Sequence, residues 1–390
     1  MTHPIIEAIK ANEQQFIDIR REIHRHPELG FEEVKTSDLV AEKLASWGYE
    51  VHRGLAKTGV VGTLKVGNGP KRLGIRADMD ALPIVEDSGK PWHSTIPKKF
   101  HGCGHDGHTT ILLAAAEYLA KTRQFDGTLH VIFQPAEELL YGGKVMLEDG
   151  LFDLFPCDMI YGLHNMPGLK AGEFHFKTGA LMASSDTIHV EISGVGGHGA
   201  IPQGTVDATL VGAHIVVALQ SLVARNVSPF EQAVVTVGAF HAGDAPNVIN
   251  GKALLKLSVR ALNPDVSALL TQRIHDIITA QAQSFGATVD ITYINRCPVL
   301  MNGPEATDFG IAVAQALVGE DKVHANAAPI MASEDFAFML EANPNGGYLF
   351  LGNGDGPGTC MIHNPGYDFN DEVIVPAAAY WASLTETFLK

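Results

Sequence analysis

At 390 residues, 46% of them hydrophobic and 18% charged, the chain is long enough for two or three domains and has an ordinary globular composition. A formal net charge of −16 argues against a nucleic-acid partner, which would want a basic stripe. It leaves room for a small acidic ligand, because a metal and a few Arg or His residues can reverse the field inside one cleft. The four cysteines (Cys103, Cys157, Cys297, Cys360) have no disulfide-framework spacing and fit a reducing cytoplasm, while eighteen histidines raise the expectation of metal chemistry.

The N-terminus lacks the basic, apolar and small-residue order of an export signal. Ile5, Ile9, Phe16 and Ile19 are instead spaced as one charged amphipathic helix. A second helix is predicted over Lys35 to Trp47, followed by strands at Tyr49 to Arg53, Val60 to Lys65 and Arg72 to Ala77. The last of these runs into Asp78-Met79-Asp80. Gly102-Cys103-Gly104-His105-Asp106-Gly107-His108 precedes a helix predicted to begin near Thr109. Strand Thr128 to Gln134 ends in Glu137-Glu138, strand Asp158 to Leu163 ends in His164-Asn165, and Gly347 to Leu351 leads through a Gly-rich loop (Gly352 to Gly358) to His363. Acidic and histidine motifs thus recur at the carboxyl ends of apolar strands, the edge at which open α/β sheets place their ligands.

Between these segments the texture changes. Strands at Asp186 to Ser193, Ala233 to Ala239, Lys252 to Leu262 and Ala287 to Ile294 enclose helical runs Val206 to Ala224 and Val266 to Phe285. The order strand–helix–strand–strand–helix–strand is the split βαβ, ferredoxin-like arrangement. The expectation is a discontinuous catalytic domain (1–184 and 299–390) with an inserted domain (185–298). The longest apolar stretch, Ala208 to Ala224, is slightly short for a membrane span and reads as a buried or interface helix, so no membrane is expected.

Each motif has a plainer reading. Cys103 with His105 is a soft ligand pair or a buried thiol beside a helix-capping histidine. Glu137-Glu138 is a surface charge pair, or one metal carboxylate next to a general base. Asp78 and Asp80 project from one side of their strand and either orient a ligand histidine or open the turn at Leu82-Pro83. His164 and His363 gain weight from their shared sheet edge. Gly194-Val195-Gly196-Gly197-His198-Gly199 matches a dinucleotide fingerprint, but Pro202 and a late helix argue against it, which leaves a nucleotide-dependent oxidoreductase disfavoured. His198 suits an oxyanion or substrate contact, and Asn247 and Arg260 are polar positions where Arg could bind a carboxylate or form a surface salt bridge.

Taken together, His24–Glu33 (HRHPELGFEE), Arg76–Pro83, Gly102–His108, Pro135–Glu138, Gly162–Asn165, Gly196–Pro202 and Ser333–Phe336 resemble the two-domain metal-dependent amidohydrolases. That group includes hippurate hydrolase, N-acyl-amino-acid aminoacylases and auxin-conjugate hydrolases. The resemblance spans essentially the whole chain and implies an α/β, zinc-exopeptidase-like catalytic domain with a mixed sheet, plus a ferredoxin-like lid or dimerisation domain. It implies metal ligands Cys103, His105, Glu138, His164 and His363 for one or two divalent ions (Mn or Zn, with Co or Ni as alternatives). Glu137 is the implied general base and Asp80 the carboxylate behind a ligand. His198, Asn247 and Arg260 are the implied substrate contacts. The wider superfamily has histidine where this chain has Asp78, and lacks the cysteine. The implied reaction is hydrolysis of an N-acyl amino acid by a cytoplasmic homodimer or homotetramer. An N-acetyl-diaminopimelate deacetylase or a metallodipeptidase would use the same machinery, and a non-catalytic binding protein is disfavoured by the presence of Glu137.

Overall fold

The N-terminal apolar periodicity forms two helices, Pro4–Lys10 and Glu13–Arg25, where the sequence predicts one. Asn12 leaves the helical region (φ −114°, ψ 15°) between them, as a residue whose side chain competes for backbone bonds readily does. The break still lets Ile5, Ile9, Phe16, Ile19 and Ile23 enter one core. The next helix, Val34–Ser46, buries Val40 and Leu44 but leaves Ala45 exposed.

The structure is a computed structural model and describes residues 3–355 and 360–390. The chain divides into two units. One comprises the chain through Leu181 with Met301–Ala328 and Asp335–Lys390; the other comprises Met182–Leu300 with Pro329–Glu334.

In the larger unit, strands β1 (Glu50–Leu55), β2 (Gly59–Val66), β3 (Arg72–Asp78), β4 (Gly127–Gln134), β5 (Met159–Pro167) and β6 (Phe174–His175) precede a short β7 (Gly179–Met182). The smaller unit contains β8 (Ser185–Ser193), β9 (Gly197–His198), β10 (Ala233–His241), β11 (Val248–Ile249), β12 (Lys252–Ala261) and β13 (Thr288–Cys297). The chain then returns through β14 (Leu300–Asn302), β15 (Val323–His324) and β16 (Gly346–Gly354). One eight-stranded mixed sheet has the order β1-β2-β4-β3-β5-β16-β6-β15. Its centre, β4-β3-β5-β16, is parallel and buried, and it reads as continuous apolar runs such as Val131–Phe133 and Gly347–Leu351. Helices His105–Thr122 and Ile374–Phe388 pack in the same core as these strands.

The smaller unit has a four-stranded antiparallel sheet in the order β10-β12-β8-β13, with helices Ala208–Leu219, Ser221–Asn226 and Pro264–Ser284 between the strands. This is the ferredoxin-like order that the sequence predicts. Its own core joins Ile188, Val190, Ile192, Leu255 and Leu257 to Val211, Ile215, Leu270 and Ile274. The apolar run Ala208–Asn226 is long and apolar enough for a membrane span, yet only a third of that stretch is buried. It packs by one stripe (Ala208, Val211, Ile215, Leu219, Leu222) and exposes Leu210 and Val217, so of the two expectations, buried or interface helix, it is not the fully buried one.

Candidate metal and catalytic centre

Asp78, the last residue of β3, pairs in register with Gln134, the last of β4, so the segments that follow both strands leave the sheet at one edge. His164 does not follow a strand as the sequence predicts. It lies within β5, which continues to Pro167, in register with Phe350 of β16. The helix predicted near Thr109 begins four residues earlier, at His105. Gly104 turns the chain there with φ +94°, and a Cβ at that position would sit 2.3 Å from Asn165 Oδ1. The early start places His105, Asp106 and His108 on the first turn, where side chains three and four apart share a face.

The buried histidines are oriented by what holds their Nδ1 atoms. His105 Nδ1 lies 2.9 Å from the Asp80 carbonyl and 3.2 Å from Asp80 Oδ1. His164 Nδ1 donates to the Asn165 carbonyl at 2.7 Å. Both rings therefore keep an Nε2 lone pair for something else. His164 Nε2 lies 3.3 Å from Cys103 Sγ, and ligand-capable atoms of Cys103, His105 and His164 fall within 4.8 Å of one another. Cys103 forms a second such group with Glu138 and His363, and His105 a third with Glu137 and Glu138. His363 holds its position with φ 65° and a backbone N–H donated to the Gly102 carbonyl. Part of the Gly-rich loop before it, Gly356–Gly358, lies outside the described residues.

Two buried atoms here lack hydrogen-bond partners: His105 Nε2, and Glu138 Oε1, which faces His363 Nε2 at 3.4 Å. Thiol, imidazole and carboxylate form a donor set for a divalent transition metal, and a cation is the group that satisfies both atoms. The electrostatics agree. Burial, then Glu138, Glu137 and Asp78, pushes the Cys103 thiol well above its usual range. Burial disfavours an imidazolium at His105, yet Asp78, Asp80 and Glu138 outweigh it and raise that ring to about 10. The pocket is rich in negative charge, and a cation would release the thiolate and keep His105 neutral.

Residues around the cluster brace it. Asp80 Oδ2 accepts the Glu138 N–H at 2.9 Å, so one carboxylate holds both His105 and the Glu137-Glu138 turn. His108 is not a free ligand: its Nδ1 meets Asp78 Oδ1 and its Nε2 meets Asn165 Oδ1, each at 2.6 Å. Asp106 is neither a cap nor a ligand but receives His24 Nδ1 at 2.7 Å and Arg20 at 3.4 Å.

Two contributors escaped sequence reasoning, although both lie in motifs that the resemblance singles out. Glu33 Oε1 accepts the Ala136 N–H at 2.9 Å and its Oε2 accepts Thr58 Oγ1 at 2.6 Å. Ala136, next to Glu137, has φ 56°, and it abuts Gly30, where a Cβ would lie 2.9 Å from the Ala136 methyl. Asp335 accepts from Arg76, Gln134 and the Gly143 N–H at 3.1, 2.7 and 2.8 Å, and Arg76 also binds Asp78 at 2.7 Å. The ends of β3 and β4 are thereby locked together. Neither carried a local signal beyond its motif, since Glu33 follows Glu32 and Asp335 follows Glu334.

His198, Asn247 and Arg260 belong to the smaller unit. His198 on β9 pairs with Val248 of β11, its exposed ring accepts the Ala200 N–H, and the Asn247 carbonyl accepts the Gly199 N–H. Asn247 precedes β11 and is not on a strand. Arg260 on β12 is half-buried and donates to Ser333 Oγ, so it is not the surface salt bridge that was the alternative. The Gly194–Gly199 segment forms a two-stranded ladder and opens no helix, which removes the basis for a dinucleotide site.

Fold and site together define a class, an amidohydrolase on a metallopeptidase scaffold. Comparison with known proteins supplies the family. The profile of peptidase family M20/M25/M40 matches residues 74–387. The chain is 47% identical to hippurate hydrolase of Campylobacter jejuni over 96% of this chain and 97% of that protein. It is 38% identical to IAA-amino acid hydrolase ILR1-like 5 of Arabidopsis thaliana over 97% and 88%. The crystal structure of Bacillus subtilis YXEP protein, a dinuclear metal-binding peptidase of the M20 family, superposes with a TM-score of 0.84 at 30% identity, covering 97% and 99%. The chain belongs to peptidase family M20/M25/M40 and is an amide-cleaving hydrolase.

Proposed function

We propose that this enzyme hydrolyses N-acyl amino acids of the hippurate type to a carboxylic acid and a free amino acid. The observation that carries the reading is the placement of Glu137 Oε2 3.9 Å from His105 Nε2, beside a preformed set of ligand lone pairs. The 47% identity to a hippurate hydrolase supports the substrate class.

Cys103, His105, Glu138, His164 and His363 would hold one or two divalent ions, Mn or Zn by their chemistry. When bound, such an ion supplies Lewis acidity, which polarises an amide carbonyl and makes water acidic near neutral pH. Glu137 takes the proton from the attacking water and delivers it to the departing amine nitrogen, so that the amino acid leaves uncharged at nitrogen and not as an amide anion. Asp80 keeps His105 in the Nδ1–H tautomer and holds the Glu138 N–H. His198 is the donor for the developing oxyanion, and Arg260 with Asn247 receives the substrate carboxylate. The exposed apolar face of Ala208–Asn226 supports self-association through the smaller unit, and four cysteines that form no disulfide suit a reducing cytoplasm.

The test is release of glycine from hippurate and of free amino acids from N-acetyl analogues, before and after chelation. Activity that chelation abolishes and Mn²⁺ or Zn²⁺ restores is expected. Failure to cleave any N-acyl amino acid, or indifference to chelators, contradicts the reading.

A further inference from the structure

At the outer edge of the eight-stranded sheet lies a second group of metal-capable side chains that the catalytic reading does not use. Edge strand β15 joins β6 by a parallel pair in which His324 stands opposite His175 and Val323 opposite Phe174. Alternation along a strand sends Phe174 and Val323 to the buried face and both histidines to the other. Glu173 is two residues before His175 and so shares its face.

The three side chains converge on one point. Glu173 Oε2 lies 2.9 Å from His324 Nε2 and 3.6 Å from His175 Nε2. The imidazoles stack with centroids 4.2 Å apart and an interplanar angle of 16°, and ligand-capable atoms of both rings and of Glu173 fall within 4.8 Å of one another. His175 Nε2 is shut off from solvent and has no hydrogen-bond partner. Glu173 Oε2 is within hydrogen-bond distance of His324 Nε2 but, at 3.6 Å, not of His175 Nε2. A cation answers all three atoms at once. Tetrahedral zinc bound at about 2.0–2.1 Å to nitrogen and oxygen sets its ligand atoms about 3.4 Å apart, and the two distances here bracket that spacing.

We propose that Glu173, His175 and His324 form a second divalent-metal site, distinct from the catalytic cluster, that takes zinc or a similar borderline cation. Two imidazoles and one carboxylate, without a thiolate, select Zn, Ni, Cu or Co over Mg or Ca. The His324 side chain is 45% exposed, so the fourth position opens to water. Such an ion ties the edge strand to its neighbour across the 151-residue separation of Glu173 and His324, where the ladder supplies only two residue pairs. Its effect is therefore on the cohesion of the sheet edge and not on turnover.

The experiment uses the intact, metal-loaded enzyme with Zn²⁺ as probe. Zinc per chain is measured after titration and desalting, together with the thermal midpoint and hippurate turnover, for wild type, His324→Ala and Glu173→Gln. Wild type should retain one zinc equivalent more than either variant, and added zinc should raise its midpoint by several degrees. In both variants that rise should vanish while turnover at equal catalytic metal content stays within twofold of wild type. Equal zinc content and equal midpoint shifts in all three proteins would overturn the proposal. Glu173→Gln keeps the shape of the side chain, so a folding defect confined to His324→Ala leaves the test intact.

Discussion

The Glu137 carboxylate is aimed by a residue far away in sequence. The left-handed backbone at Ala136 stores strain, of the order of 1–3 kcal/mol for such a residue, which the surroundings must hold. Glu33 does so by accepting the Ala136 N–H, and burial, with Asp80's charge adding to it, raises the Glu33 carboxyl to about 7. Glu33→Ala leaves that N–H unsatisfied in a buried turn and should cost about 1–3 kcal/mol in urea unfolding. It should also lower kcat by at least about tenfold with a smaller change in KM, because it misplaces the base and not the substrate. Glu33→Gln, which retains an acceptor, should recover most of the stability. Equal kcat in Glu33→Ala and wild type would remove Glu33 from the machinery. This residue was visible in the sequence only as part of a quoted motif. Its partner is 103 positions away, and no spacing rule connects the two.

Among the elements, strands were more legible than helix starts. The central strands are buried and mostly apolar, and their ends fall within about three residues of the positions read from the sequence, apart from β5. His164 escaped correct placement because a strand buried on both faces gives no alternation to mark its end. The early start of the helix at His105 was hidden because a left-handed glycine, and not a Ser, Thr or Asp cap, precedes it. That helix is anchored from behind by a buried ionic network. Asp106 on its first turn meets His24 of helix Glu13–Arg25, and His24 also meets Glu86 at 3.2 Å, while Arg20 binds Asp368 and Asp371. Burial opposes the charge on His24, but Asp106 and Glu86 prevail and raise it from 6.5 to about 9. A raised histidine stabilises the fold fully below its unfolded value and loses that contribution as pH climbs through the folded one. His24→Asn should therefore destabilise by up to about 3 kcal/mol at pH 6, and by clearly less at pH 9.5, in urea titrations of otherwise identical samples. The same loss at both pH values would show that His24 acts by packing alone.

For the whole molecule, the sequence predicted an α/β catalytic fold and a ferredoxin-like segment, and both are present. That success has a physical basis. The hydrophobic periods of the sheet strands match their environments, and the segments carrying Asp80 and Glu137-Glu138 leave the sheet at one edge, where Asp78 pairs with Gln134. Composition left open the acyl group and the amino acid, because pocket walls depend on loop packing that no local pattern encodes. Charge offered no guide either. A net charge of −16 spread over the chain coexists with a local site that calls for a cation, and only the convergence of Cys103, His105, Glu138, His164 and His363 reveals it. The central claim is that Glu137 moves the proton while its neighbours hold metal. Glu137→Gln removes the proton acceptor and preserves shape. The deciding measurement is hippurate turnover by Glu137→Gln and wild type at matched metal content. The account predicts unchanged metal content with kcat reduced by about 10²–10⁴-fold. Near-wild-type kcat at equal metal content would contradict it.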